Sequence, residues 1–202
     1  MKRRCPLVCV SAVLACGLYL ACAALAYTRY PLPFSPAAHW LSDLGDRRIN
    51  PQGAPFYNVG IIALGFILFL WFMGLAHWRV EANRPQRWLL GVAQAAGTLG
   101  SISVSMSGVF PIDLLQQHAF WSRAHYMMLA MGFGFSVTAL AHHPRFPRPL
   151  LYLGTLAAFS PLATLLGGEV YWLEWLSVGL FLVYVLLVGM ASRAVTPKAP
   201  SG

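Results

Sequence analysis

Apolar residues dominate the chain in six long stretches that short polar segments separate. The stretches cover residues 6–27, 55–77, 88–109, 124–141, 149–166 and 170–191. A helix needs about 20 apolar residues to cross a bilayer, with a range of about 17–25, and all six stretches fall within that range. They lack the strict apolar–polar alternation of strands in a membrane β-barrel. The pattern predicts an all-α integral membrane protein, a six-transmembrane-helix bundle that forms a single domain over residues 1–202.

The composition supports this interpretation and removes two other classes of protein. Of the 202 residues, 58% are apolar and 10% are charged, and the mean hydropathy is +0.62. Soluble domains average about 45–50% apolar and about 25% charged residues, and disordered segments are poor in apolar residues. A soluble globular protein and a disordered chain are therefore excluded.

Positive charge is distributed unevenly between the two sides of the predicted bundle. Four arginines lie in one set of loops, and the opposite set holds Lys2, Arg3, Arg4, Arg79, Arg84, Arg87, Arg145, Arg148, Arg193 and Lys198. Because cytoplasmic loops carry the excess of Lys and Arg, both termini are predicted to be cytoplasmic. The formal net charge of +8 thus indicates orientation, and nucleic-acid binding is not expected.

The first span has two interpretations. Basic residues 2–4, an apolar run and small residues at 24–26 follow each other in the order of a signal peptide and its cleavage site. The apolar run of 22 residues exceeds the about 7–15 of a signal peptide, so we expect it to be retained as a helix. Small apolar packing residues, rather than metal ligands, are expected at Cys5, Cys9, Cys16 and Cys22.

The third span carries a ribbon of small residues, one at every fourth position. The ribbon consists of Ala93, Gly97, Ser101 and Ser105. Such ribbons let helix backbones approach each other closely, so this helix is predicted to lie in a tight helix–helix contact. A stripe of polar side chains beside the ribbon leaves open that the helix lines a substrate path.

The first external loop, 28–54, is the longest segment between spans. Ser35-Pro36 has the form of a helix start, and Gly45 that of a helix stop. Residues 36–44 are therefore predicted to form a short helix on the membrane surface. Its spacing would place His39 and Asp43, four residues apart, on one face.

Histidines and carboxylates concentrate at the predicted outer membrane boundary. His118 and His125 lie two helical turns apart, and Glu174 falls one turn inside the sixth span, where an ionised carboxylate needs a partner. His39, Asp43 and Asp113 lie at the same predicted depth. This outer cluster is the candidate functional site.

Three interpretations of the outer cluster stay open. Zinc binds imidazole and carboxylate groups, and its candidate ligands here are His39, Asp43, His118 and His125. A metal-free acid/base site would use the candidate catalytic residues Asp43, His125, His39, Ser42 and Glu174. The third interpretation is a charge-neutral hydrogen-bond network that holds the surface helix on the bundle.

The cluster also carries a family resemblance. The run from His39 to Gly45 (HWLSDLG), then Asn50-Pro51 and the pattern Phe-x-Asn-x-Gly at 56–60, resembles the multi-spanning family catalogued as domain of unknown function 998. Gly65, Gly-x-Phe-Pro at 108–111 and His125 fit the same pattern. The resemblance covers roughly residues 35–130. It implies six helices in a bacterial cytoplasmic (inner) membrane, and it brings no established activity.

Three functions are compatible with these features. The first is a non-catalytic lipid-binding or accessory membrane protein, with membrane lipid as its partner. The alternative is an interfacial hydrolase or transferase, with or without zinc, that acts on a lipid or lipid-linked substrate. A small transporter has less support, because the chain shows no internal repeat and no charge near the membrane midplane.

Overall fold

A computed structural model describes residues 5–79 and 82–195, and these residues are helical without strands. The α-helices are α1 (Leu7–Tyr27), α2 (Ala54–Gly74), α3 (Arg84–Val109), α4 (Leu115–Leu140), α5 (Pro149–Leu166) and α6 (Tyr171–Ala191). A 3-10 helix at Leu41–Gly45, the cap helix, lies between α1 and α2. The orientation prediction also uses residues outside the described ranges, namely Lys2, Arg3, Arg4 and Lys198.

Five of the described helices are long and apolar enough to cross a membrane, and α4 is the exception. The first half of α4 carries polar and charged side chains at Gln116, Gln117, His118, Arg123 and His125. The chain is thus a multi-pass, all-helical membrane protein. The polar half of α4 lies near the cap helix, and it contributes to the site described below.

The starts of α3 and α4 precede the apolar stretches that predict them. α3 begins at Arg84 because Asn83 caps it: the Asn83 side chain accepts from Gln86 N (3.0 Å) and the Gln86 side chain accepts from Asn83 N (2.7 Å). This reciprocal arrangement satisfies two free amides at the helix start. α4 begins at Leu115, nine residues before its apolar stretch. Hydropathy indicates only the part of a helix that lies in the membrane. The helix itself continues as long as its backbone N–H and C=O groups have hydrogen-bond partners.

The six helices form a ring in which each packs against the next in sequence, and α6 returns to α1. Glycine and serine allow a close approach between α2 and α3. A Cβ atom added at Gly65 would lie 2.5 Å from the Ser101 carbonyl oxygen. Ser105 Oγ donates to Ile62 O across the same contact (3.0 Å). The prediction that the small-residue ribbon forms a tight helix–helix contact is therefore confirmed.

Aromatic side chains fill the centre of the ring away from the cap helix. This aromatic cluster consists of Trp71, Phe72, Phe133 and Tyr184, each 0% exposed. Neighbouring ring centroids lie 5.0 to 6.3 Å apart, and Trp71 Nε1 donates to Val185 O (3.1 Å), which joins α2 to α6. Trp71 lies seventeen residues from the start of α2, or about 25 Å along the helix. The aromatic cluster therefore fills the centre of the helix ring about 25 Å from the start of α2.

Candidate functional site

The cap segment, residues 28–53, folds over the end of the ring where α2 begins. The predicted α-helix over 36–44 is wrong: a turn forms at 36–38, and the cap helix follows at Leu41–Gly45. The turn ends because Trp40 N donates to the Asp43 carboxylate (2.9 Å) instead of to a helix carbonyl. Burial raises the pKa of the Asp43 carboxyl, and this hydrogen bond partly opposes that effect. Asp43 therefore acts as a capping side chain.

Two consecutive residues of α6 hold the cap segment in place. Glu174 Oε2 accepts from Leu41 N (2.6 Å) and Ser42 N (3.3 Å). Trp175 Nε1 donates to His39 O (3.0 Å). Glu174 is 9% exposed and forms no ion pair with any residue that the structure describes. Its hydrogen-bond partners are thus backbone amides more than 130 positions away in sequence.

Asn50 joins three elements at the same end of the ring. Its side chain is fully buried, and Nδ2 donates to Ala26 O at the end of α1 (3.2 Å) and to Leu44 O of the cap helix (2.9 Å). Its Oδ1 accepts from Gly53 N at the start of α2 (3.1 Å). One amide side chain thus uses both its donor and its acceptor group to hold α1, the cap helix and α2 together.

An ion pair connects the cap segment to the turn between α3 and α4. Arg47 Nη2 and Nε donate to Asp113 Oδ2 at 2.6 and 2.9 Å. Hydrogen bonding to Arg47 lowers the pKa of the Asp113 carboxyl. Burial raises the pKa of Asp46, but its hydrogen bonds to Arg48 outweigh burial and bring it below its ordinary value. Asp46 and Asp113 therefore each form an ion pair with an arginine of the cap segment.

The Arg47–Asp113 pair should stabilise the protein in a pH-dependent way. Since the folded-state pKa of Asp113 is lowered, its contribution is present above the unfolded value of about 3.9 and is lost as pH falls through the folded value. We expect Arg47→Gln to have a lower Tm than the parent at pH 7, with the gap closing below about pH 4. Thermal unfolding in detergent across this range measures it. A gap of equal size at both ends of the range, or one insensitive to added salt, would contradict the assignment.

A cavity lies beneath the cap helix, between α1, α2, α3, α4 and α6. Its volume is about 70 Å³, and a cavity needs about 10–15 Å³ to hold one water molecule. The cap end is lined by polar side chains, namely Ser42, Asn58, Ser107, His118, Ser122, His125 and Glu174. Farther in, the lining is apolar and includes Leu64, Leu68, Leu129, Val178 and Val185.

The cavity is elongated along the axis of the bundle. Its lining covers positions 57–68 on α2, 118–129 on α4 and 174–185 on α6. Each range spans eleven helical steps, which at 1.5 Å per residue amounts to about 16 Å. The aromatic cluster lies beyond the apolar end. The result is a narrow, blind-ended cavity whose lining changes from polar to apolar with depth.

Two histidines of α4 contribute ring nitrogens to this lining. His118 Nδ1 donates to Phe110 O (2.8 Å), which in a neutral imidazole leaves Nε2 as an acceptor. His125 Nδ1 and Tyr19 Oη are buried without a hydrogen-bond partner among the described residues. Buried polar atoms are usually hydrogen-bonded to protein or water. These two atoms are therefore available to a water molecule or a ligand.

Four of the sequence-predicted site residues meet at the cavity, namely Ser42, His118, His125 and Glu174. His39 and Asp43 lie outside the lining and belong to the hydrogen bonds of the cap segment. Within residues 5–79 and 82–195, no group of three or more His, Cys, Asp or Glu side chains could hold a metal ion. The zinc site thus stays a prediction without an assembled ligand set.

Sequence reasoning missed several lining residues. Tyr19, Tyr57 and Tyr126 line the cavity, with the Tyr19 and Tyr57 ring centroids 6.3 Å apart. Each tyrosine stands alone in an apolar span, so no local pattern distinguishes it from a packing residue. Ser122 could have been found from the sequence, because it lies four residues after His118 and three before His125. This spacing puts all three side chains on one helical face.

Comparison with known proteins adds one match. A family model described as "Protein of unknown function (DUF998)" matches residues 13–196. No curated protein and no solved structure matches the chain. The matched range contains the cap segment and every residue that lines the cavity.

Proposed function

The chain belongs to the DUF998 family of proteins of unknown function, and on that premise we propose that it is a non-catalytic membrane protein that binds a lipid in the cavity beneath the cap helix. The observation that carries the proposal is the change of the lining from polar to apolar along the cavity. A lipid has the same order of groups, a polar head followed by an apolar chain. Ligand sites in general combine an apolar lining with a few placed polar groups.

One further feature supports binding over passage through the membrane. The aromatic cluster lies beyond the apolar end of the cavity, and its four members are 0% exposed. A transporter would need a path past this cluster, which argues against the small-transporter alternative. We place the cap segment on the outer side of a bacterial cytoplasmic membrane, with both termini in the cytoplasm, because of the uneven distribution of Lys and Arg.

One observation favours a second candidate function, hydrolysis or group transfer on a bound lipid. The Nδ1–H of His118 is held by the Phe110 carbonyl, as a catalytic base is held when a neighbouring group fixes its tautomer. Ser42 and Ser122 line the same cavity as His118 and offer hydroxyl groups. This candidate differs from simple binding in one measurable respect, because the bound lipid would not stay intact.

Filling the cavity should remove bound lipid. Val178 lies in the cavity lining on α6, and Val178→Phe would fill the apolar part. The phenyl ring would occupy the space of the acyl chain, and a loss of about 1.4 kcal/mol of binding free energy already lowers affinity about ten-fold. We expect mass spectrometry of the purified protein to find correspondingly less co-purified lipid. Val183→Phe is the matched control, since Val183 is on the same helix and 47% exposed.

Lipid content tests the cavity, and the fate of the bound lipid separates the two candidate functions. Equal lipid content in Val178→Phe and Val183→Phe would overturn the proposal that the cavity binds lipid. Intact lipid after prolonged incubation of the parent protein is expected from simple binding. Release of fatty acid or headgroup, abolished by His118→Gln, would instead establish the hydrolytic candidate.

A further inference from the structure

The polar end of the cavity contains a buried carboxylate, Glu174, that forms no ion pair with any residue in the described part of the chain. Glu174 is 9% exposed and its described partners are the uncharged backbone amides of the cap helix. A carboxylate at membrane depth is costly unless a positive group accompanies it. An opposite charge supplied by a ligand would remove this cost.

The cationic side chains of the cap segment are engaged elsewhere. Arg47 pairs with Asp113 and Arg48 with Asp46. Arg29 lies over the Phe56 ring, 4.5 Å from its centroid. None of the three lines the cavity. The cap segment therefore holds its own arginines away from the carboxylate beneath it.

Three tyrosines line the same cavity. Tyr19, Tyr57 and Tyr126 are 3%, 5% and 6% exposed. The faces of aromatic rings attract cations, and several rings together form the cages that bind alkylated ammonium groups.

We propose that the lipid bound in the cavity has an ammonium-bearing headgroup, which Glu174 and the three tyrosines recognise. The inference rests on the proposed function and specifies the ligand class of that site. The ammonium group would lie against Glu174, and the acyl chain would follow the apolar lining towards the aromatic cluster. Ser42 and Asn58 line the same polar end, where the remaining headgroup oxygens would lie.

Competition between single-chain amphiphiles tests the proposal. The protein is reconstituted in nanodiscs of neutral lipid, and displacement of a fluorescent phospholipid is measured with dodecylammonium, dodecyltrimethylammonium, dodecyl phosphate and a neutral dodecyl glycoside. We expect one or both cationic probes to bind about ten-fold more tightly than the neutral probe, which corresponds to about 1.4 kcal/mol. The comparison of the two ammonium probes tells whether N–H donors are required.

Variants then assign the preference to the carboxylate. Glu174→Gln keeps an oxygen that can accept from Leu41 N and Ser42 N, and it should lose the cationic preference, so that the ratio of cationic to neutral probe affinity falls to about one. Asp113→Asn is the matched control, because it removes a carboxylate at the same end of the bundle but outside the cavity lining, and it should keep the preference.

The outcomes separate this inference from the function on which it rests. Equal binding of cationic and neutral probes to the unaltered protein would overturn the ammonium assignment and leave lipid binding in place. Tighter binding of dodecyl phosphate would overturn it as well. Failure of every probe to compete would overturn both proposals. The comparison on the unaltered protein requires no variant, so poor folding of Glu174→Gln would not prevent a decision.

Discussion

Replacing Asn50 by alanine is expected to lower the free energy of unfolding by about 3 kcal/mol, since it removes three hydrogen bonds that contribute about 1 kcal/mol each. The bonds go to Ala26 O, Leu44 O and Gly53 N. The side chain is 0% exposed, so water does not replace them without rearrangement. The expected fall in Tm is about 6–12 °C for a chain of this size. Thermal unfolding followed by circular dichroism in one detergent measures it.

Gln52→Ala is the matched control for Asn50→Ala. Gln52 carries the same amide group two residues later and is exposed. Surface substitutions of this type change stability by about 0.5 kcal/mol or less. If the two variants unfold at the same temperature, the bonds of Asn50 do not stabilise the contact between α1, the cap helix and α2.

A methyl group at Gly65 should force α2 and α3 apart. The added Cβ would lie 2.5 Å from Ser101 O and 2.7 Å from Ser105 N, and it would also meet Ser105 Oγ. Two of these atoms belong to the backbone of α3, which cannot move aside as a side chain does. We expect Gly65→Ala to cost about 1–3 kcal/mol and to weaken lipid binding, because α2 and α3 both line the cavity.

Gly179→Ala, on α6, is the control for Gly65→Ala and is not expected to destabilise the protein. No atom lies within 4 Å of a Cβ added at Gly179, and alanine is more favourable than glycine in a helix interior by about 0.5–1 kcal/mol. The Tm of this variant should be unchanged or slightly higher. If Gly65→Ala is as stable as Gly179→Ala, α2 and α3 can move apart without a loss of stability, and the expectation is wrong.

The helical fold follows from the sequence because the bilayer requires long apolar stretches. The stretches predicted at 149–166 and 170–191 coincide with α5 and α6 to within one residue at each end. The starts of α3 and α4 were missed because capping and loop hydrogen bonds set them, as at Asn83. Hydropathy carries no information about those bonds.

The site could be predicted only in part. Depth in the membrane follows from position in a span, so His118, His125 and Glu174 were correctly placed at one end of the bundle, where they line one cavity. The spacing of His39 and Asp43 indicates a shared face only if the segment is α-helical, and the Trp40–Asp43 hydrogen bond prevents that. Which residues meet across the ring depends on contacts between distant parts of the chain, and periodicity within one span does not encode them.

The arrangement of helices around the ring also determines when the cavity is completed during synthesis. Because neighbours in the ring are neighbours in sequence, each new helix can dock on its predecessor as the chain emerges from the ribosome. The cap segment is made early, yet its bonds to Glu174 and Trp175 form only after α6 has been translated, more than 130 residues later. A nascent chain that stops before α6 therefore contains most of its helices but lacks one wall of the cavity and its buried carboxylate.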